Sequence, residues 1–140
     1  MTNPEISVII PFLNEAENIP ELVAAIEAFA PTLPVPIEVV FVDDGSTDGS
    51  GELLSSISFR NFSAQLVRLS RNFGSHPAVR AGFSVAKAPN CVWLGADLQE
   101  PLEIIRYLKQ QCTLLQYLQL LYLLTLQATQ IGRASCRERV

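Results

Sequence analysis

The sequence predicts an α/β domain built on a mostly parallel sheet with helices on both faces. Strand-like and helix-like segments alternate four times, and the strand-like segments are near-continuous apolar runs rather than alternating ones. The chain has 140 residues, 49% hydrophobic and 17% charged, which suits one ordinary domain with a folded core and excludes a disordered tail.

Residues 6–10 (ISVII) form a β-branched run closed by Pro11, the pattern of a buried strand. A helix follows, with Asn18 placed to cap it, Glu21 three residues on and Pro20 in the first turn. Ile19, Leu22, Val23, Ile26 and Phe29 recur at helical spacing and leave Glu17, Glu21 and Glu27 outward. Pro31, Pro34 and Pro36 end that helix in a stiff connection. Residues 37–42 (IEVVFV) read as the second strand, leading into the turn-rich DDGSTDGS and a weak helix over about 50–57. The third strand is 65–69. In SRNFGSHPAVRAGFSVAKA after it, Pro77 suits a helix start, and Ala78, Val79, Ala81 and Ala86 suit a helix lying closely on a sheet. Residues 91–94 are the fourth strand, ahead of GADLQEP and a helix over about 101–110 that offers Leu102, Ile105 and Leu108 to the core. Right-handed crossovers bring the loops that follow the strands to one edge, where parallel sheets bind their ligands. Loops 11–15, 43–48, 70–74 and 95–100 fall there.

The net charge of −4, from 14 acids and 10 bases, argues against binding nucleic acid by phosphate neutralisation. Residues 1–50 hold nine acids and no Lys or Arg, whereas residues 51–109 hold seven bases and four acids. That division is either surface accident or suits an anionic ligand held partly by metal and partly by arginine. Cys91, Cys112 and Cys136 match neither a disulfide framework nor a zinc spacing, so a reducing compartment is expected. MTNPEIS runs straight into a strand without the apolar stretch of a signal peptide. The apolar segment 114–126 is broken by Gln116, Gln119 and Thr125 and is shorter than the roughly 20 residues of a membrane span.

Residues 111–130, rich in Leu and Gln, differ in kind from the rest and read either as a sticky helix or as a frame never selected to fold. The last ten residues, IGRASCRERV, are similar to a translated sequencing-adapter oligonucleotide; the alternative is a natural basic tail. We therefore expect one folded part over 1–110, a segment of doubtful origin over 111–130 and an artefact over 131–140, with the natural protein continuing beyond.

Asp43 and Asp44 directly follow a buried strand, and Gly45 permits a tight turn. Adjacent carboxylates there suit ribose hydroxyls, a base N–H or a hydrated metal, or else an Asx-turn or helix cap. Asp97, with Gln99 two residues on, offers a carboxylate and an amide oxygen to Mg2+ or Mn2+ on a diphosphate, or caps the helix before Pro101. Arg71 and Gly74 stand where an arginine meets a phosphate and a backbone approaches it, or Arg71 is simply solvated. His76 is the single histidine and reads as a helix cap or solvent-facing group. Neither GxGxxG nor GxxxxGK[ST] occurs, which removes the main evidence for a dinucleotide enzyme or a P-loop NTPase.

Four blocks in order, ISVIIPFLNEAENI, EVVFVDDGSTDGS, VRLSRNFGSHPAVRAGF and VWLGADLQEP, resemble the family 2 glycosyltransferases with a GT-A fold over about residues 5–108. The likeness points to the branch with dolichol-phosphate mannose synthase and the bacterial polyprenyl-phosphate glycosyltransferases. The resemblance implies inverting transfer of a sugar from a UDP- or GDP-sugar to a lipid-linked phosphate, on the cytoplasmic side of a membrane. Pro11, Asn14 and Glu15 match the first nucleotide-site loop, Asp43 matches the acid that contacts the base, and Asp44 and Gly45 lie beside it. Arg71, Asn72 and Gly74 match the stretch lining the donor site; Asp97 matches the second acid of the DxD metal motif and Gln99 its helper amide. One position departs: Gly95 stands where the motif usually begins with Asp, so a bound metal would depend on Asp97, Gln99, the diphosphate and water. On this reading residues 1–110 are the N-terminal donor-binding part of a GT-A domain, and the chain is truncated and inactive alone. The alternative is a nucleotide-sugar-binding module without catalysis.

Overall fold

The computed structural model describes residues 2–107 and 109–110. One compact unit runs to Arg106; a second begins at Tyr107, and its described residues are helical. The readings made for residues 111–130, for residues 131–140, for Cys112 and Cys136 and for Leu108 lie outside the described residues.

The first unit follows the predicted order. Strands β1 (Ile6–Phe12), β2 (Ile37–Asp43), β3 (Ser63–Arg68) and β4 (Asn90–Trp93) alternate with helices α1 (Ile19–Phe29), α2 (Ser50–Ser56) and α3 (Ser75–Val85). The sheet is parallel throughout, in the order β3-β2-β1-β4. Every residue of β2 is buried, and so is every residue of β1 except Pro11, as strands covered on both faces require. Alternate residues feed two cores. Ile6, Val8, Ile10, Phe12, Ile37, Val39 and Phe41 pack with Ile19, Leu22, Ile26 and Phe29 of α1 and Leu54 of α2. Ile9, Val40 and Val42 face the other way, against Ala78 of α3. Each large apolar side chain buried in this way contributes roughly 1.5–3 kcal/mol. The chain steps from β1 to β2 to β3, then returns past β1 to β4. The change of direction moves the connecting helix to the opposite face and opens a crevice outside the carboxyl ends of β1 and β4.

All five predicted α1 core residues are buried. Its predicted cap is different. Asn18 makes no side-chain cap; the N–H groups of Asn18 and Ile19 both donate to the Glu15 carbonyl, and Asn18 Nδ2 donates to Glu15 Oε2 at 2.6 Å. Asn18 has helical angles, φ −90° and ψ −22°, rather than the extended conformation from which an N-cap side chain reaches the N–H three residues on. Pro11 also does not end β1. Ile9 accepts from Leu94 N–H on the β4 side, so Pro11 faces that side too, beyond the last β1–β4 pair of Ile9 with Trp93. Its missing N–H therefore costs no ladder bond. The close approach of α3 rests on Gly82 as much as on Ala78: a Cβ on Gly82 would stand 2.4 Å from Ile9 Cγ2. Helical residues begin at 103 after Pro101, and Ile105 is buried as predicted. Among the described residues no helix is long and apolar enough to cross a membrane.

Candidate functional site

The β1 loop is strapped to the turn after β2 by four backbone N–H groups, each donating to a side chain of the facing segment. Asn14 N–H donates to Ser46 Oγ (2.9 Å), Glu15 N–H to Ser50 Oγ (3.0 Å) and Ala16 N–H to Asp48 Oδ2 (3.0 Å). In return Asn14 Oδ1 accepts from Thr47 N–H at 2.8 Å, and Asn14 holds a left-handed φ of 53° to do so. Asn is among the few side chains that occupy that region readily. The Ser50 hydroxyl also donates to Asp48, whose carboxyl lies below the usual range, chiefly because of that bond. The serines and Asp48 of DDGSTDGS thus hold the first loop in place. Sequence reading did not assign them this work, because their partners lie more than thirty residues away.

Asp43 and Asp44 are both buried, at 2% and 5% exposure, and they point to different duties. Asp43 Oδ1 accepts from Ser46 N–H at 2.8 Å, three residues on, and so braces the turn, while Oδ2 faces Arg68 Nε at 3.5 Å. Arg68 is held above its usual value mainly by Glu52, which it meets at 2.6 Å. Asp44 reaches across to the loop after β3, accepting from Phe73 N–H at 2.8 Å and Gly74 N–H at 3.0 Å. Gly45 brings the two loops into contact. Its φ is +81°, and a Cβ there would stand 2.5 Å from the Arg71 carbonyl carbon and 2.6 Å from Asn72 N.

These loops enclose a pocket of about 300 Å³ lined by Pro11, Phe12, Leu13, Asp44, Asn72, Gly74 and Ser75. Pro11, Asp44, Asn72 and Gly74 of the predicted residues therefore meet in one cavity at the carboxyl edge of the sheet, and Gly45 lies directly behind it. Asn14, Glu15 and Asp43 support its walls and do not line it. Arg71 is exposed, with its guanidinium 4.2 Å from the centre of the Phe73 ring. A wider groove of about 650 Å³ runs beside α1, past Phe29, Leu98 and Arg106, but Arg106 is occupied by the Thr32 carbonyl and hydroxyl.

Asp97 and Gln99 stand on the exposed loop after β4, outside the pocket lining. Asp97 Oδ1 accepts from Gln99 N–H at 3.2 Å, and Leu98 between them adopts φ 56°. Glu100, which sequence reading passed over, joins this loop: its Oε2 accepts from Gly95 N–H at 3.3 Å. A Cβ on Gly95 would lie 2.9 Å from Asp97 Oδ1 and 3.3 Å from Glu100 Oε2. The space that a residue-95 side chain would fill is therefore bordered by two carboxylates. Among the described residues no three His, Cys, Asp or Glu side chains converge on one metal position.

Glycosyl transferase family 2 matches residues 7–110, from β1 past the loop after β4 and into the helical residues beyond it. The chain belongs to this family. Among curated relatives, the family 2 chain is 45% identical over 101 residues to an undecaprenyl-phosphate 4-deoxy-4-formamido-L-arabinose transferase of Pseudomonas aeruginosa (strain LESB58), covering 71% of this chain and 30% of the relative. A protein of the same description from Yersinia enterocolitica is 40% identical over 102 residues, or 72% and 31% of the two chains. This chain thus spans about 30% of the length of such relatives. Among solved structures, a mannosyltransferase from Pyrobaculum calidifontis in complex with GDP-Man and Mn2+ matches at a TM-score of 0.60 and 27% identity, over 72% of this chain and 30% of that one. TarS of S. aureus in complex with UDP-GlcNAc, at 24% identity and TM-score 0.57 over 66% and 26%, shares the fold.

The loop after β4 carries the oxygen donors that could hold a divalent cation, and the Pyrobaculum protein was solved with Mn2+. Asp97 and Glu100 offer exposed carboxylate oxygens and Gln99 an amide oxygen, all hard ligands suited to Mg2+ or Mn2+.

Proposed function

We propose that this chain forms the donor-binding part of an inverting glycosyltransferase that moves a sugar from a UDP- or GDP-sugar to a polyprenyl or dolichyl phosphate. The observation that carries the reading is the convergence of the loops after β1, β2 and β3 on one pocket at the strand ends, in a family 2 chain. The similarity to undecaprenyl-phosphate transferases supports the acceptor class.

In this reading the pocket takes the nucleoside end of the donor. Pro11, Asn14, Glu15, Asp43, Asp44, Gly45, Arg71, Asn72 and Gly74 form or support it, and Asp97 and Gln99 hold Mg2+ or Mn2+ at the diphosphate. A divalent cation bound there neutralises charge that develops on the diphosphate as it leaves. The anionic oxygen of a lipid phosphate attacks the anomeric carbon from the face opposite the leaving group, which inverts that centre. Such an oxygen is already deprotonated, so the chain needs no strong general base beside it. A polyprenyl acceptor also places the reaction at a membrane surface, on the side where nucleotide-sugars are made.

A second reading, binding of a nucleotide-sugar without transfer, is motivated by Gly95, which brings no carboxylate to the start of the metal motif. Calorimetric titration of the chain with UDP, GDP and their sugars, with and without MnCl2, tests the donor assignment; no saturable binding under any of these conditions removes it. Transfer of labelled sugar to undecaprenyl phosphate then separates the two readings.

A further inference from the structure

Positive charge and exposed apolar surface coincide on one flank of the fold. Residues 53–96 carry five bases and no Asp or Glu, whereas residues 1–50 hold nine acids and no Lys or Arg. Phe73, Phe83, Val85 and Trp93 lie in that basic segment, four of the six large apolar side chains that stand exposed among the described residues. The two properties meet in a groove of about 210 Å³ between α3 and β4, lined by Ser75, His76, Val79, Arg80, Phe83 and Trp93. His76, Val79, Arg80 and Phe83 follow helical spacing, so one stripe of α3 sets an imidazole and a guanidinium beside two apolar side chains. Trp93 is 54% exposed and Phe83 42%, and Arg80 makes no salt bridge among the described residues. Aromatic side chains flanked by cations, on a segment without acids, complement an anionic lipid surface: the rings suit the headgroup layer and the cations its phosphates. The backbone limits the depth of such a contact. Among the described residues β4 pairs with β1 alone, and Leu94 N–H donates to Ile9 on that side, so the polar backbone groups of Trp93 point to the free edge. They are satisfied in hydrated headgroups and not in hydrocarbon.

We propose that the α3–β4 flank docks on an anionic lipid bilayer, with Phe83 and Trp93 entering the headgroup layer and Arg80 meeting lipid phosphates. The proposal deepens the lipid-acceptor reading above and rests on it for its purpose. Ser75 lines both this groove and the candidate nucleotide pocket, so a bilayer held here stands beside the donor.

The test uses the full 140-residue chain. Vesicles of phosphatidylcholine alone, or of phosphatidylcholine and phosphatidylglycerol in equal parts, are titrated into it without polyprenyl phosphate or nucleotide. Trp93 is the single tryptophan, so its emission reports on this flank. Anionic vesicles are expected to shift the emission to the blue and brominated lipid to quench it, with little change on neutral vesicles. A tenfold rise in NaCl shortens the screening length about threefold and should release the protein. In vesicle sedimentation Arg80→Glu should weaken binding at least about tenfold, and Phe83→Ser about fivefold. Arg60→Glu makes the same charge change on the exposed loop before β3, outside the groove, and should weaken binding less than about threefold. Circular dichroism reports the fold of each variant; Arg80→Gln, expected to lose about fivefold, carries the charge test if Arg80→Glu does not fold. Emission untouched by anionic vesicles, or equal losses in Arg80→Glu and Arg60→Glu, overturns the proposal. So does a blue shift that follows protein concentration in the absence of lipid, which gives the flank to a second copy of the chain. The donor reading fails separately: a chain that binds these vesicles but neither UDP nor GDP loses its nucleotide site and keeps this surface.

Discussion

Ser7 and Glu38 are direct partners in the β1–β2 register, and the Ser7 hydroxyl donates to Glu38 Oε1 at 2.5 Å inside the sheet face that packs on α3. Glu38 is 1% exposed, yet its carboxylate also accepts from Lys87 N–H at 2.5 Å and Gln65 Nε2 at 3.0 Å, while Ser7 Oγ accepts from Ala88 N–H at 3.0 Å. The pair therefore anchors the chain leaving α3 to the two central strands. A buried charge is tolerated only with such partners. Replacing Glu38 with Ala strands several donors at once and is expected to cost on the order of 1–3 kcal/mol or more. Urea unfolding of Glu38→Ala against wild type measures it, and a loss below about 0.5 kcal/mol would show that water replaces the carboxylate cheaply.

The same network has a pH signature. Burial pushes the Glu38 carboxyl up, but the hydrogen bonds from Ser7, Lys87 N–H and Gln65 outweigh it and hold the group below its ordinary 4.5. A group whose value is lower in the folded state stabilises the fold above its unfolded value, and that contribution disappears as pH falls through the folded one. Stability should therefore decline below about pH 4.5, and the decline should be shallower in Glu38→Gln. Parallel acid titrations of the two proteins by circular dichroism check it. Curves that superimpose after normalising to neutral pH would assign the acid sensitivity to other carboxylates.

Two glycines with similar backbone angles separate strain from crowding. Gly49 (φ +86°) has open space where a Cβ would go, whereas Gly45 (φ +81°) meets the Arg71 and Asn72 backbone at 2.5 and 2.6 Å. Gly49→Ala should lose only the left-handed penalty, about 1 kcal/mol. Gly45→Ala must in addition push two loops apart, so it should lose more, by about 1–3 kcal/mol, and weaken nucleotide binding as well. Equal melting temperatures for the two variants would mean that the loop after β3 yields freely.

The alternation of elements and the α1 stripe were legible because each is a local pattern with a fixed period, and Ile19, Leu22, Val23, Ile26 and Phe29 are buried accordingly. The duties of the polar residues were not legible in the same way. Whether Asp43 and Asp44 grip a ligand or build a turn depends on partners such as Phe73, twenty-nine positions from Asp44. Spacing does not encode that distance. Glu38 was passed over for a related reason: one acid in IEVVFV does not disturb an apolar strand reading, and its partners come from β1, β3 and the chain after α3. Asn18 failed as a cap because the turn that begins at Glu15 already sets its backbone in the helical region, which the residue type does not reveal.

Asp97 and Gln99 differ in charge, which sets the expected order of their substitutions. Asp97→Asn removes a formal charge from the cation site and should weaken Mn2+ binding in the presence of GDP or UDP at least tenfold. Gln99→Ala removes a neutral oxygen and should weaken it less, by about two- to fivefold. Competition titrations monitored by the Mn2+ paramagnetic resonance signal give both constants. Equal affinity of the Asp97 variant and wild type would take Asp97 out of the metal role.

Gly95 permits the converse experiment, in which an acid is added. A Cβ at residue 95 would meet Asp97 Oδ1 at 2.9 Å and Glu100 Oε2 at 3.3 Å. Both contacts are the far ends of exposed side chains, so they move aside at little cost, unlike the backbone that confronts Gly45. Gly95→Asp would set a third carboxylate beside two others. Like charges repel without a cation and are relieved by one, so the variant should lose a little stability in metal-free buffer and recover it on adding MnCl2. Its Mn2+ affinity should exceed that of wild type several-fold. Gly95→Asn, which adds similar bulk without charge, is the control: it should match wild type in metal-free stability and gain less affinity. If Gly95→Asp binds Mn2+ no better than Gly95→Asn, the carboxylates around residue 95 do not share a cation, and the metal reading rests on Asp97 and Gln99 alone.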